Sequence, residues 1–303
     1  MDSRTVTPPA SSPAASEAAA PYGGAATAAA AAPVEAPARY RTVHLQRAKD
    51  EGRRFAMLTT YDAMTAALFD EAGVEVLLVG DSLGNTVLGH GSTLPVTLED
   101  MIVFSAAVAR GARRAFVLAD LPFGSYEASP EQAVRAGVRL MKEAGVHGVK
   151  VEGDERFAPH IAAMVAAGVP VMGHIGFTPQ SEHVLGGYRV QGRGEGAAER
   201  LIASARALED AGAFAVLMEM VPSDVAAAVD AALRVPTVGI GAGPKTTGQV
   251  LVWQDMLGLG AGRTPRFVKR YADLRAVMGD AVRAYRADVL SGAFPDPAHA
   301  FES

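Results

Sequence analysis

Cysteine is absent from the 303 residues, which removes disulfides, zinc–thiolate centres and thiol nucleophiles from consideration. A basic excess is missing too. Lys and Arg number 28 against 33 Asp and Glu, the net charge is −5 and the sequence pI about 5.8, so no global positive field argues for nucleic acid. No bulky apolar run reaches the roughly 18–20 residues of a membrane span, and a membrane role is not expected. What is present is ordinary for a globular protein with a large core: 49% hydrophobic and 20% charged residues.

Residues 1–38 are Ala runs broken by Pro8, Pro9, Pro13, Pro21, Pro33 and Pro37. Such a stretch has little bulk to bury, and it has neither the basic start nor the apolar centre of a secretory signal. It is expected to be a disordered tail, with residues 39–303 forming the catalytic domain. Thr42 to Glu51 reads as a short polar helix with Thr42 as N-cap. From there, short apolar runs recur at Phe55–Thr60, Val76–Gly80, Ala115–Ala119, Gly148–Val151, Pro170–Gly173, Ala215–Met218, Pro236–Ile240 and Val250–Trp253. Ala-rich helical segments lie between them, as in Met64–Ala72, Pro130–Ala144, Ala197–Ala211 and Ser223–Ala232. Several end in Gly, the residue that suits a left-handed helix stop. Strand and helix alternating about eight times over roughly 230 residues predict an α/β protein of the (β/α)8 barrel class. An open doubly wound sheet would carry Gly-x-Gly-x-x-Gly after its first strand, and Thr59-Thr60-Tyr61-Asp62-Ala63-Met64 is not that motif.

The strands run out into ionisable residues. In order these are Asp62, Asp81-Ser82, Asp120, Lys150 with Glu152, His174, Glu219, the run Gly239-Ile240-Gly241-Ala242-Gly243, and Asp255. In a barrel that C-terminal rim is where function is built. Asp81 follows a four-residue apolar run, where a carboxylate is costly unless something positive meets it. It can be a cation ligand, a helix N-cap or half of a buried ion pair. Lys150 and Glu152 alternate on one strand and share a face; they can neutralise each other or flank one substrate. Asp81, Asp120 and Glu152 form an all-oxygen set, which suits magnesium better than zinc. Two long connections, Leu83–Asp100 and Gly176–Gly196, read as functional loops. The second, with Arg189 and Arg193, reads as a lid over an anionic ligand, and Gly239–Gly243 as a cradle for a phosphate or a flat cofactor.

From about residue 40 to 290 the motifs resemble those of the ketopantoate hydroxymethyltransferase (3-methyl-2-oxobutanoate hydroxymethyltransferase) family. They are Leu58-Thr59-Thr60-Tyr61-Asp62, Val79-Gly80-Asp81-Ser82-Leu83-Gly84, His90 to Thr97, Ala119-Asp120-Leu121-Pro122-Phe123 and Val149-Lys150-Val151-Glu152-Gly153. The series continues with Gly173 to Gln180, Gly186 to Gly192, Met218-Glu219-Met220-Val221-Pro222 and Gly239 to Gly243. Met220 stands where some relatives have cysteine. The resemblance implies a cytoplasmic homodecamer, a pentamer of dimers, using Mg2+ with 5,10-methylenetetrahydrofolate as co-substrate. Its reaction would hydroxymethylate 3-methyl-2-oxobutanoate to 2-dehydropantoate for pantothenate biosynthesis. It also implies Asp81 and Asp120 as direct metal ligands and Glu152 as an outer one. Asp81, Ser82, Asp120 and Lys150 would bind the keto acid, and Glu219 would accept its proton. His174 receives no role. Three rivals bear on the same residues. A lyase of the phosphoenolpyruvate mutase and isocitrate lyase group would rely on a cysteine this chain lacks. A Schiff-base aldolase would use Lys150, and a binding scaffold would have lost some rim acids.

Overall fold

Eight parallel strands close on themselves in sequence order: β1 Phe55–Thr59, β2 Val76–Val79, β3 Phe116–Asp120, β4 Gly148–Glu152, β5 Val171–Gly176, β6 Ala215–Glu219, β7 Thr237–Ile240 and β8 Gly248–Leu251. β8 pairs back onto β1, with Val250 opposite Met57. The expected (β/α)8 barrel is therefore the observed one. This computed structural model describes residues 37–262 and 264–301, and the expected tail lies outside them apart from Pro37 and Ala38.

Most strands are short and apolar because they are buried on both faces, helices outside and side chains within; the exceptions are Ala56 of β1 and Gln249 of β8, which are exposed where those two strands meet. Alternation then decides which residue goes where. Leu77, Val79, Val117, Val149, Val151, Val216 and Met218 face the surrounding helices in one cluster. Met57, Val76, Leu78, Phe116, Leu118, Met172, Leu217 and Val238 fill the barrel, joined by Leu45 and Ala48 of helix Thr42–Asp50. Phe55 and Phe116 begin their strands, so that helix plugs the N-terminal end. Each large apolar side chain so buried is worth about 1.5–3 kcal/mol.

The differences from expectation are local. Arg41, not Thr42, occupies the N-cap of the first helix. Pro130–Arg139 is α-helical, but Leu140–Ala144 widens into a π turn before Gly145. The eighth strand ends at Leu251, and Trp253 already begins the turn of helix Trp253–Met256. Leu83–Asp100 is less irregular than expected. One helical turn, Leu83–Thr86, follows β2, and a Thr97–Asp100 capping box starts helix Leu98–Gly111. Gly176–Gly196 likewise contains a 3-10 turn at Pro179–Ser181 and a helical turn at Glu182–Leu185. Helix Leu274–Ser291 has no buried residue, and Val277, Val282, Tyr285, Val289 and Leu290 are exposed on it.

Candidate active site

The alternation that fills the barrel also builds its upper layer. Two residues beyond inward Leu118, Met172 and Leu217 come Asp120, His174 and Glu219, and on β4 Lys150 and Glu152 share that side. Register sets the neighbours: Asp120 lies opposite Lys150, Glu152 opposite His174, and Gly176 opposite Glu219. Asp81 enters just past β2, where Gly80 makes room. A Cβ on Gly80 would stand 2.8 Å from Ser82 Oγ and 3.5 Å from Asp120 Oδ2. All six predicted site residues, Asp81, Ser82, Asp120, Lys150, Glu152 and Glu219, line one cavity of about 400 Å3. Tyr188 and Asp255 line it too, and Leu78, Leu217, Ile240, Val250 and Phe267 form its apolar wall.

Inside, charges outnumber their partners. Asp81, Asp120, Lys150, Glu152 and His174 are all buried. Lys150 Nζ stands 3.2 Å from Asp120 Oδ1, 3.7 Å from Glu152 Oε1 and 3.1 Å from His174 Nδ1. His174 bridges the two glutamates, with Nδ1 3.2 Å from Glu152 Oε1 and Nε2 3.5 Å from Glu219 Oε2. Burial, then repulsion from Asp120 and Glu152, holds the Asp81 pKa well above the ordinary aspartate value. Burial likewise raises Asp120, although Lys150 pulls the other way. Glu152 ends below the usual value: burial pushes it up, but a His174 hydrogen bond, the His174 and Lys150 charges and the Gln180 amide outweigh that. Burial disfavours charge on Lys150, yet the surrounding carboxylates keep its pKa raised. His174 is raised for the same reason by Glu152 and Glu219, against burial and Lys150.

The three readings of Asp81 separate here. The cap position of helix Leu83–Thr86 is Ser82, and the Asp81 carboxylate accepts instead from Gln180 Nε2 at 2.8 Å. Among the described residues no Lys, Arg or His pairs with Asp81, whereas Lys150 sits against Asp120 and Glu152. A helical turn does follow Asp81, but the cap reading fails on the side chain itself. Asp70 shows what a satisfied buried aspartate looks like: its oxygens accept from the backbone N–H groups of Arg113, Arg114 and Ala115. Asp120, by contrast, accepts one backbone N–H, that of Asp81 at 3.0 Å on Oδ2, and its Oδ1 meets only the Lys150 ammonium at 3.2 Å.

Other rim residues sort differently. Asp62 is a helix N-cap, accepting from Met64 and Thr65 N–H. Asp255 reaches the cavity from helix Trp253–Met256 rather than from a strand end. Gly241 faces the Phe267 ring, whose Cδ1 would lie 2.9 Å from a Cβ there, so a side chain covers the expected cradle. Arg193 lines a second hollow near Glu155 and Arg200, while Tyr188, stacked 4.8 Å from Phe177, reaches the first. Sequence reading missed Tyr61, whose hydroxyl lies 2.9 Å from Ser82 Oγ, and the buried pair Tyr126 and Gln180. Tyr61 and Gln180 lie inside the quoted motifs, whereas Tyr126 lies three residues beyond Phe123 and no motif marks it.

Comparison with known proteins gives a consistent match. The family described as ketopantoate hydroxymethyltransferase matches residues 39–297. The 3-methyl-2-oxobutanoate hydroxymethyltransferase of Paenarthrobacter aurescens (strain TC1) is 63% identical over 264 residues, covering 87% of each chain. That of Leifsonia xyli subsp. xyli is 60% identical over 274 residues, 89% of this chain and 99% of the other. Among solved structures, phosphonopyruvate hydrolase in complex with oxalate and Mg++ superposes with a TM-score of 0.56 at 16% identity, over 85% of this chain and 92% of that one. 2,3-dimethylmalate lyase, a PEP mutase/isocitrate lyase superfamily member, gives 0.51 at 19%, over 82% and 86%. These two share the fold.

Proposed function

This chain belongs to the ketopantoate hydroxymethyltransferase family, and from that premise we propose that it transfers a hydroxymethyl group from 5,10-methylenetetrahydrofolate to 3-methyl-2-oxobutanoate, giving 2-dehydropantoate. The observation that carries the reading is the convergence of Asp81, Ser82, Asp120, Lys150, Glu152 and Glu219 on one cavity with an apolar wall. A 2-oxo acid with a branched tail needs both halves of such a lining.

Magnesium belongs to the proposal, and the residues fit it. Three buried carboxylates face one lysine and one histidine, all the carboxylate donors are hard oxygens, and no Lys, Arg or His among the described residues pairs with Asp81. Among the described residues no three His, Cys, Asp or Glu side chains form a ready cage. Magnesium itself takes one or two carboxylates and leaves other positions to water and substrate. Asp81 and Asp120 would hold it directly, with Glu152 outside them. When bound, the ion supplies positive charge for the oxygens of the 2-oxo acid.

The remaining work falls to the chain. Lys150, kept charged by its neighbours, and Ser82, oriented by Tyr61, would bind the keto acid. Glu219, at 17% side-chain exposure the most open acid of the group, would take the proton from C3. The carbon so deprotonated would form its bond to the one-carbon unit of the folate, the carbon–nitrogen bond holding that unit would break, one water would supply the hydroxyl oxygen, and tetrahydrofolate would leave carrying the proton. We place the enzyme in the cytoplasm; no helix among the described residues is long and apolar enough to cross a membrane. Assembly into a homodecamer is part of the same proposal, supported by the uncovered apolar side chains of helix Leu274–Ser291. Assay of both substrates with Mg2+ and with EDTA tests it. Product formation abolished by EDTA is expected, and EDTA-indifferent turnover that borohydride blocks would favour the Schiff-base alternative at Lys150.

A further inference from the structure

Gln180 has no role in the chemistry above, yet it is the most fully bonded polar side chain near the carboxylates. It lies in the 3-10 turn Pro179–Ser181, at the start of the 176–196 segment, and is 6% exposed. Its backbone N–H donates to Glu152 Oε2 at 2.9 Å. Its Nε2 donates to Asp81 Oδ2 at 2.8 Å and to the Leu121 carbonyl at 2.9 Å. Its Oε1 accepts from the Tyr126 hydroxyl at 2.7 Å, and Tyr126 in turn lies 3.0 Å from the Glu152 carbonyl. Both amide hydrogens thus meet acceptors, and the amide oxygen meets a donor. Flipping the amide would set its oxygen against a carboxylate and a carbonyl, so only one orientation is tolerated.

Two consequences follow for the carboxylates. Asp81 has Oδ2 occupied, which leaves Oδ1 as the oxygen it offers. Glu152 has Oε2 held by the Gln180 backbone N–H and Oε1 facing His174, so the same turn fixes the carboxylate on the other side of the site. We propose that Gln180 is a positioning residue for the cation: its amide selects the oxygen Asp81 presents, and its backbone ties the 176–196 segment to the loaded site. This rests on the magnesium reading above. Groups that orient metal ligands from behind typically change metal affinity by about 10–100-fold when removed.

The test uses Mn2+ as probe on the full chain without substrates, with affinity read by calorimetry and electron paramagnetic resonance. Gln180→Leu keeps the shape and removes the amide. We expect its Mn2+ affinity to fall about 10–100-fold while circular dichroism and melting show a folded chain. Mn2+ should slow amide hydrogen exchange across residues 182–196 in the parent and not in this variant, a readout that loss of packing alone would not produce. Mn2+ affinity within twofold of the parent overturns the proposal. Should Gln180→Leu fail to fold, Tyr126→Phe decides instead, since it removes only the hydroxyl that fixes the amide. A threefold or greater loss supports the proposal and unchanged affinity overturns it. A parent chain that binds no Mn2+ would defeat the metal reading itself, and this inference with it.

Discussion

Asp81→Asn should make the cation-free protein more stable while removing its response to magnesium. In the parent, the Asp81 carboxylate is buried, unpaired by any cation among the described residues, and shares its site with Asp120 and Glu152. Its one strong support is the Gln180 bond. A hydrogen bond to a charged group is worth about 1.5–3 kcal/mol and a neutral one about 0.5–1.5, so an asparagine oxygen in that place forfeits about 1 kcal/mol. Against this, an uncompensated buried charge costs several kcal/mol. The net expectation is a gain of about 1–3 kcal/mol, at roughly 2–4 °C of melting temperature per kcal/mol for a domain of this size. The pH dependence has a definite sign. The folded Asp81 pKa is raised above its unfolded value, so this group's contribution is fully present in acid and is lost as pH rises through the folded value. The advantage of Asp81→Asn is therefore absent in acid and widens toward neutrality. Magnesium at a hundredfold excess over its Kd should add about 2.7 kcal/mol to the parent and far less to the variant. Urea denaturation in EDTA and in Mg2+ reads both effects through the single Trp253, whose ring stands 6.2 Å from Phe69. A variant less stable than the parent in EDTA at neutral pH, or equal magnesium stabilisation of both, would refute the reasoning.

Lys150→Met leaves Asp120 and Glu152 without the ammonium that stands 3.2 and 3.7 Å away, and should cost about 3–5 kcal/mol in urea denaturation; a loss under about 1 kcal/mol would mean the charges are not coupled. Gly176→Ala tests how β5 holds Glu219 on the neighbouring strand. At φ +91° Gly176 is in the left-handed region, and a Cβ would collide with the Glu219 carbonyl oxygen and stand 2.8 Å from Val221. We expect destabilisation of more than about 1 kcal/mol together with lower kcat, and near-parental values of both would show that the turn tolerates a side chain.

What the sequence carried, it carried through periodicity. From β1 to β6 the strands are apolar runs that end at or beside polar residues, and the Lys150-Val151-Glu152 alternation sets both charges on one face. The same rule could not separate Asp62 from Asp81. Both follow strands, and only the neighbouring N–H groups of Met64 and Thr65 make the first a cap. Gln180 and Tyr126 were illegible because neither carries a charge at neutral pH and each acts on residues more than twenty positions away. The turn at Leu83–Thr86 escaped notice because Gly84 and Asn85 are poor helix formers held there by tertiary contacts, among them His90 N–H to the Gly84 carbonyl. From the 176–196 segment Pro179 and the aromatic Tyr188 line the cavity, while Arg193 lines a second hollow.

The central claim is that Glu219 removes the C3 proton of 3-methyl-2-oxobutanoate at a site completed by the rim carboxylates. Deuterium exchange at C3, followed by NMR in D2O with Mg2+ and no folate, isolates that step from the transfer. The parent should exchange, and Glu219→Gln should exchange about 10²–10⁴-fold more slowly while still binding the keto acid in the presence of Mg2+. Exchange by Glu219→Gln at the parental rate would contradict the account.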